Sequence, residues 1–470
     1  MDRYKRLASN TIILAAGQFS SRFLVIIMMR FYTGMLGTDG YGAVGLIIDA
    51  CVIIMAVVTI SVNESIIRFG LDSKYDKAQV FSIGLTTVII GLVLFSFATP
   101  ALNMITAFRG YAVWIYFYVF WASIKSCCAL FVRSAGYVRL FAIDGLFTTI
   151  VNISFNLIFM LGLGMEVRGF LLSVILADVA STIFLFIMAD LKKYFRLFGL
   201  SRHLRASMYR FSIPLIPTAV MWWVIGVSAG FFIEQFMGIG YTGIYKAAFR
   251  FPNIVVILSV IFSQAWNMSA ITEKNSRTIA KFYTNVFSIF QSVIYIMAAG
   301  LMLVIRPALE LMTAEGFGQA YRISALLIMA VIFSCFSTFS GSVYVASKKS
   351  VRSMVTALSG AVLNIALNFL LIPLWGLYGA AASIFISYLV IFIIRAVDTR
   401  KMVLMDLKLP KMAFNSIILG AMGVIVMTVR NDTAYYVILA GLFSVLLSIN
   451  FKSAIAAVQM IIKKKKEGNA

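Results

Sequence analysis

The chain contains few charged residues, few cysteines and almost no histidine. Only 12% of its 470 residues are Asp, Glu, Lys or Arg, whereas 61% are hydrophobic; a soluble domain is about 25% charged. His203 is the single histidine, and four cysteines fall inside apolar stretches without metal-ligand spacing: Cys51, Cys127, Cys128 and Cys335. We therefore expect no metal site, no disulfide framework and only packing roles for the cysteines.

Motifs of nucleotide and enzyme chemistry are missing as well. The sequence has no Gly-rich nucleotide-binding loop, so transport driven by ATP is not expected. The predicted loops are too short for a catalytic domain, which disfavours a membrane enzyme such as a glycosyltransferase or polymerase. The first apolar run begins near Ser9, exceeds a signal-peptide core in length and is followed by no cleavage site. We expect neither a cofactor nor a cleavable leader.

Long apolar runs recur from end to end, and each is long enough to cross a bilayer as a helix. We predict fourteen spans, in order 9–31, 41–65, 79–98, 111–133, 141–162, 167–189, 210–236, 241–267, 283–305, 322–346, 353–372, 376–395, 412–428 and 434–451. Alternate loops hold 30 of the 40 Lys and Arg residues, and the opposite loops hold only 5. Because Lys and Arg accumulate on the cytoplasmic side, both termini are predicted to be cytoplasmic. The net charge of +22 is then a topology signal, and no nucleic-acid partner is expected.

Two short patterns occur twice, in the same order. The glycine turn LGTDGYG at 36–42 has a counterpart, MGIGYTG, at 237–243, 201 positions later. The pattern Asn-x-x-x-Asn at 152–156 recurs at 364–368, 212 positions later, and an apolar stretch and a glycine turn follow each copy. Glycine supplies the positive φ of such turns, and Asn at i and i+4 shares a helix face that can bond a neighbouring helix. The repeat predicts two related six-helix lobes with parallel topology.

The predicted organisation is all-α and polytopic, with two pseudo-symmetric lobes and an added C-terminal helix pair. In order, the segments are the N-lobe 1–189, a basic cytoplasmic linker 190–209, the C-lobe 210–396, a second cytoplasmic linker 397–411, spans thirteen and fourteen in 412–451, and a basic tail 452–470.

Several motifs of this sequence resemble motifs of the multidrug/oligosaccharidyl-lipid/polysaccharide (MOP) exporter superfamily. They are the start Ala8-Ser9-Asn10-Thr11, Ser21-Arg22, the turn at 36–42, the segment YKAAFRFP at 245–252, and the Asn pair of span eleven. The resemblance implies a V-shaped transporter that works by alternating access. Arg22 and Arg250 match positions where lipid II flippases of the group place arginine, and fourteen spans are similar to that branch. By the same analogy, spans thirteen and fourteen form a groove for a polyprenyl tail.

Charges inside the spans are functional candidates because burying them in lipid is costly. We predict five cations that bind substrate: Arg22, Arg30, Lys125, Lys246 and Arg250. Two carboxylates, Asp49 and Asp178, are candidate ion-coupling groups. Arg22 and Asp49 are placed at the same depth, and Lys246 and Arg250 on one face of span eight. The alternative is structural ion pairing, or long side chains that reach the interface from helix ends.

Proline and one close charge pair give further expectations. Pro214 and Pro217 fall early in span seven, where a kink forms either a hinge or a static bend. Pro252 predicts a kink in span eight. Glu64 and Arg68, spaced i, i+4, predict a surface salt bridge.

An excess of cations suits an acidic passenger, since Arg offers paired donors to a diphosphate. The predicted function is a flippase that moves a polyprenyl-diphosphate-linked oligosaccharide from the cytoplasmic to the outer leaflet. The alternative is a cation-coupled multidrug or metabolite antiporter of the same superfamily. Coupling is expected to use Na⁺, H⁺ or the membrane potential. Expected partners are the lipid-linked oligosaccharide, membrane lipids and polysaccharide-assembly enzymes, and the protein is expected to be a monomer.

Overall fold

The computed structural model describes residues 24–467, apart from 25, 197, 273–275 and 348. The described chain is helical, as expected for a backbone that must satisfy its hydrogen bonds within lipid. The helices are α1 Met29–Val58, α2 Val62–Leu71, α3 Lys77–Ala98, α4 Ala112–Ser134, α5 Val138–Asn156, α6 Glu166–Met188, α7 Arg202–Ser212, α8 Leu215–Met237, α9 Ile239–Ala248, α10 Pro252–Thr272, α11 Ser276–Met312, α12 Ala320–Ala346, α13 Ser350–Arg400, α14 Leu409–Thr428 and α15 Asp432–Glu467.

Eleven of these helical segments are long and apolar enough to cross a membrane, or twelve if the bent pair α9 and α10 forms one span. Helix α13 is interrupted at Gly376, and it covers the predicted spans eleven and twelve. Each predicted span from the second onward overlaps a described helix, and most of the first lies outside the described residues. The all-α, multi-span fold class is confirmed, and a total of fourteen is compatible with these helices.

The chain divides into two compact units, residues 1–223 and 224–470. In the first unit, α4 and α6 pack on each other, with α5 against α6 and α2 and α3 against α4. In the second unit, α12 packs against α10, α11 and α13, and α14 and α15 pack on α11. Helix α8 runs from the first unit into the second. The lobe boundaries at 189 and 210 stay a prediction.

The glycine turns take the backbone conformation that the repeat predicts. Gly37 has φ 61° inside α1, and Gly238 has φ 100° just before α9. Both angles lie in the left-handed region that side chains disfavour. The equivalence of the two turns, 201 positions apart, therefore extends from sequence to backbone geometry.

The paired asparagines form bonds between helices, which confirms that expectation. Asn156 Nδ2 donates to Asn152 Oδ1 at 2.7 Å and to the Tyr32 hydroxyl of α1 at 3.2 Å. In the second unit, Asn368 Nδ2 donates to Asn364 Oδ1 and to Ser228 Oγ of α8, both at 3.0 Å. Each pair thus ties the fifth helix of a repeat to its first helix.

Proline marks two helix breaks. Residues 213 and 214 form a turn between α7 and α8, so Pro214 lies in the break and Pro217 in the first turn of α8. Pro252 begins α10, which is bent by 52° from α9. The kink in span eight is confirmed. It also corrects the placement of Arg250: α9 ends at Ala248, so Arg250 lies in the turn and shares no continuous helix face with Lys246.

Candidate functional site

Two of the predicted site residues form an ion pair inside the first unit. Lys125 Nζ of α4 lies 3.2 Å from Asp178 Oδ1 of α6. At a rise of about 1.5 Å per residue, Lys125 is about 14 Å from the end of α4 and Asp178 about 15 Å from the end of α6. The sequence assigned Lys125 to substrate and Asp178 to ion coupling as separate groups, whereas the structure brings them together.

A third charge, Asp144 of α5, joins this pair and was missed by the sequence reading. Ser181 Oγ of α6 donates to Asp144 Oδ1 at 2.6 Å, and Asp144 is only 2% exposed. Lys125 and Asp178 both act electrostatically on Asp144. The only sequence signal is an acidic residue three positions inside a predicted span, which resembles a loop charge. We call Lys125, Asp144 and Asp178 the carboxylate–lysine cluster.

Asp49 of α1 lies close to this cluster. The hydroxyl of Tyr118 on α4 interacts electrostatically with both Asp49 and Asp178. The carbonyl oxygen of Asp49 accepts a 2.7 Å hydrogen bond from the indole Nε1 of Trp223. The first unit therefore gathers two buried carboxylates and one half-buried ammonium group, with Asp49 acting on the same tyrosine as Asp178, and such a group can exchange a proton or hold a cation.

The remaining predicted cations are dispersed over the chain. Arg22 lies outside the described residues, so its pairing with Asp49 stays a prediction. Arg30 is exposed on α1. Lys246 and Arg250 belong to the second unit and are half-buried. A single basic cavity that holds all five predicted cations stays a prediction.

The second unit contains a buried arginine at the end of the predicted span twelve. Arg395 of α13 is 2% exposed. Its guanidinium donates to Ser337 O at 2.9 Å, to Thr356 Oγ1 at 3.0 Å and to Ser353 O at 3.2 Å. These acceptors belong to α12 and to the first part of α13, so Arg395 fastens that helix pair together. Its place at the end of a predicted span gave no sign of this burial.

The predicted Glu64–Arg68 salt bridge is wrong for the described part of the chain. The Arg68 guanidinium lies over the ring of Phe211 on α7, 4.3 Å from its centroid. Within the described residues no ion pair joins Glu64 to Arg68. The Arg68 guanidinium makes a cation–π contact with the Phe211 ring in place of an ion pair with the Glu64 carboxylate.

The fold has clear counterparts among solved structures. An inward-facing multidrug resistance MATE family transporter of the MOP superfamily is similar with a TM-score of 0.67 and 18% identity, covering 83% of this chain and 98% of that one. An outward-facing structure described in the same words gives a TM-score of 0.61 and 18% identity, covering 85% and 95%.

A third counterpart is a MOP superfamily transporter from Pyrococcus furiosus, described as having a binding pocket of reverse polarity that suggests a different function. Its TM-score is 0.61 at 16% identity, covering 84% of this chain and 94% of that one. No family model matches the chain, and no curated protein matches it. At these identities the likeness concerns the fold, which is that of MATE transporters of the MOP superfamily. The fold that the resemblance implies is confirmed, whereas membership of the superfamily and of its polysaccharide branch stays a prediction.

Proposed function

We propose that this protein is a secondary transporter that works by alternating access and is coupled to an ion through the carboxylate–lysine cluster. The ion pair between the half-buried Lys125 and the buried Asp178 carries the proposal. Charges inside spans are expensive and are retained where ions or protons move. A proton or Na⁺ that binds Asp178 or Asp144 competes with the Lys125 ammonium, so occupancy changes how α4, α5 and α6 are held together.

The proposed passenger is a polyprenyl-diphosphate-linked oligosaccharide, moved from the cytoplasmic to the outer leaflet of a bacterial plasma membrane. Basic residues in the spans support an acidic passenger, with Arg22 and Arg250 as the proposed diphosphate ligands. The solved neighbours cover 83–85% of this chain. Helices α14 and α15 are the proposed surface for the polyprenyl tail. The lipid is moved without covalent change, so no catalytic residue is assigned.

A second candidate is a cation-coupled multidrug or metabolite antiporter. Two observations favour it. Two of the solved neighbours are multidrug resistance transporters, and the first unit gathers two carboxylates, Asp144 and Asp178, around one lysine, with Asp49 and Asp178 both acting on Tyr118. An acidic cluster of this kind attracts organic cations as well as coupling ions.

Reconstitution of the full chain in proteoliposomes separates the two. One set of vesicles holds a fluorescent polyprenyl-diphosphate disaccharide, and a second set holds a cationic dye, each with and without a pH or Na⁺ gradient. The proposal expects gradient-dependent appearance of the labelled lipid in the opposite leaflet, lost in Arg250→Ala and slowed in Asp178→Asn. Export of the dye that is abolished by Asp49→Asn and retained by Arg22→Ala, with no lipid movement, would establish the antiporter instead.

A further inference from the structure

Span two is broken at a strained point in its predicted cytoplasmic half. Helix α1 ends at Val58 and α2 begins at Val62, and between them Ile60 and Ser61 have φ of 52° and 49°. A β-branched residue in the left-handed region is unusual, and such residues persist where packing holds them and often where function requires them. Gly91 of α3 packs directly against the backbone at this break, because a Cβ at Gly91 would lie 1.9 Å from the carbonyl oxygen of Val58. The break is therefore held by close packing.

The break opens a cavity of about 490 Å³ within the first unit, which we call the span-two cavity. Its lining joins the end of α1 and the start of α2 to the first turns of α8, and the residues that matter here are Thr59, Ser61, Asn63, Glu64, Thr218 and Trp222. The volume is within the range of small-molecule sites, about 300–1,000 Å³. No residue of the carboxylate–lysine cluster lines it, so the two sites are distinct.

The polar lining is rich in hydrogen-bond acceptors. The Oδ1 atom of Asn63 is buried and has no hydrogen-bond partner among the described residues, while its Nδ2 donates to Ser126 Oγ at 3.1 Å. The hydroxyls of Thr59 and Ser61 donate to backbone carbonyls of α1, which leaves their oxygens as acceptors. The exposed carboxylate of Glu64 adds two more acceptor oxygens. This lining favours a ligand with many O–H or N–H donors, and the Glu64 charge disfavours a phosphate.

The aromatic wall narrows the choice of ligand. Trp222 gives the cavity a broad apolar surface beside the acceptors. A saccharide has an apolar C–H face and a rim of hydroxyl donors, so it matches both parts of the lining. An organic cation would also be attracted by Glu64 and Trp222. A quaternary ammonium, however, donates no hydrogen bond to the acceptor oxygens of Thr59 and Ser61, whereas sugar hydroxyls do.

We propose that the span-two cavity binds the saccharide headgroup of the transported lipid, with Trp222 stacking on a sugar ring and Ser61 and Glu64 accepting from its hydroxyl or amide donors. This assignment rests on the proposed function and adds to it a sugar site separate from the groups assigned to the diphosphate. The cavity, and not the basic residues, then sets which saccharide is accepted.

The test measures binding of two lipids to the full chain in nanodiscs. One is a polyprenyl-diphosphate disaccharide and the other is the same polyprenyl diphosphate without sugar. Trp222→Leu and Glu64→Gln are expected to raise the Kd of the sugar-bearing lipid about tenfold and to leave the sugarless lipid unchanged. Trp222→Phe, which keeps an aromatic face, should restore most of the affinity. Matched controls are Trp375→Leu, an exposed tryptophan of the second unit, and Glu315→Gln, an exposed loop carboxylate.

Three other results of this binding experiment would each contradict a different part of the proposal. Equal weakening of both lipids in variants that retain the thermal stability of the parent protein would show that the cavity is not a sugar site. Loss of binding of a quaternary ammonium dye in Trp222→Leu, with lipid binding intact, would assign the cavity to an organic cation. Failure of the parent protein to bind either lipid would overturn the proposed passenger itself, and the sugar assignment with it.

Discussion

Gly164 and Gly376 are structural counterparts. They lie 212 positions apart, follow the two Asn pairs that share this spacing, and have nearly equal backbone angles, φ 62° and φ 56°. Gly164 closes the turn between α5 and α6, and Gly376 breaks α13 at the same point of the second repeat. Since this conformation costs other L-residues about 1–2 kcal/mol, glycine is required at both positions.

Substitution of either glycine by alanine is expected to lower the free energy of unfolding. A Cβ at Gly164 would meet nothing within 4 Å, so the cost is that of the backbone alone, about 1 kcal/mol. A Cβ at Gly376 would also lie 3.0 Å from Met237 Cε, so the loss should be larger. Thermal unfolding of the purified protein in detergent measures both. Gly226→Ala, within α8 and in open space, is the control and should be neutral or stabilising; an equal loss there would contradict the argument.

The Asn364–Asn368 pair is expected to stabilise the second unit. Asn368→Ala removes the amide that donates to Ser228 Oγ and Asn364 Oδ1, so Asn364 Oδ1 keeps only the bond from Ser228 and the Ser228 oxygen loses its donor. Bonds between membrane helices are worth about 0.6–1.7 kcal/mol each, so a loss of about 1–2 kcal/mol is expected in thermal or denaturant unfolding. Ser154→Ala is the control, since its exposed hydroxyl bonds only within α5. An Asn368→Ala protein as stable as this control would show that the pair is dispensable.

The ion pair of the carboxylate–lysine cluster should behave as a coupled pair. Lys125→Met alone leaves Asp178 buried without its cation, and the free energy of unfolding is expected to fall by about 2 kcal/mol. This is less than the roughly 3–5 kcal/mol of a fully buried pair, because Lys125 is 26% exposed. Adding Asp178→Asn should recover most of this stability, because no unpaired charge remains. The double variant is nevertheless expected to be inactive in gradient-driven transport. Additive stability losses in the double-mutant cycle would contradict the pairing.

Replacing the Arg395 guanidinium, or placing a larger side chain against it, is expected to lower the stability of the protein. Arg395→Lys keeps the charge but cannot reproduce the planar set of bonds to Ser337, Thr356 and Ser353. Gly341→Ala would place a Cβ 2.8 Å from Arg395 Nη1. Both variants should unfold at lower temperature than the parent protein. Arg430→Lys, at an exposed position before α15, provides the comparison, and similar melting temperatures for all three variants would contradict this role.

The proposed diphosphate ligands are tested by transport and stability together. Arg22→Ala and Arg250→Ala are expected to abolish transport of the lipid-linked saccharide while the folded protein is retained at normal levels. The reason is loss of the paired donors that match phosphate oxygens. Arg430→Ala removes an exposed cation and should transport normally. Full transport by both the Arg22 and Arg250 variants would refute the basic-cavity hypothesis.

Much of the architecture could be predicted because the bilayer imposes it residue by residue. Apolar runs, loop charges and turn glycines act locally, and each needs no knowledge of a distant neighbour. The Gly37 and Gly238 turns and the i, i+4 bonds within the Asn pairs follow from spacing alone, whereas the partners of these pairs on other helices do not. The break at Arg250 was harder to predict, since Pro252 indicated a kink but not the residue at which α9 ends.

The candidate sites depended instead on which helix faces meet. Lys125 and Asp178 are 53 positions apart, and nothing in the spacing of α4 and α6 indicates that their charged faces coincide. Asp144 and Arg395 resembled loop charges because each lies near the end of an apolar run. The span-two cavity arises where α1 and α2 separate beside α8. The sequence by itself determined the spans and their repeat, because each segment in lipid must satisfy its own backbone hydrogen bonds, whatever its distant neighbours are. Only the tertiary structure decided the partners of the buried charges, because packing brings distant residues together.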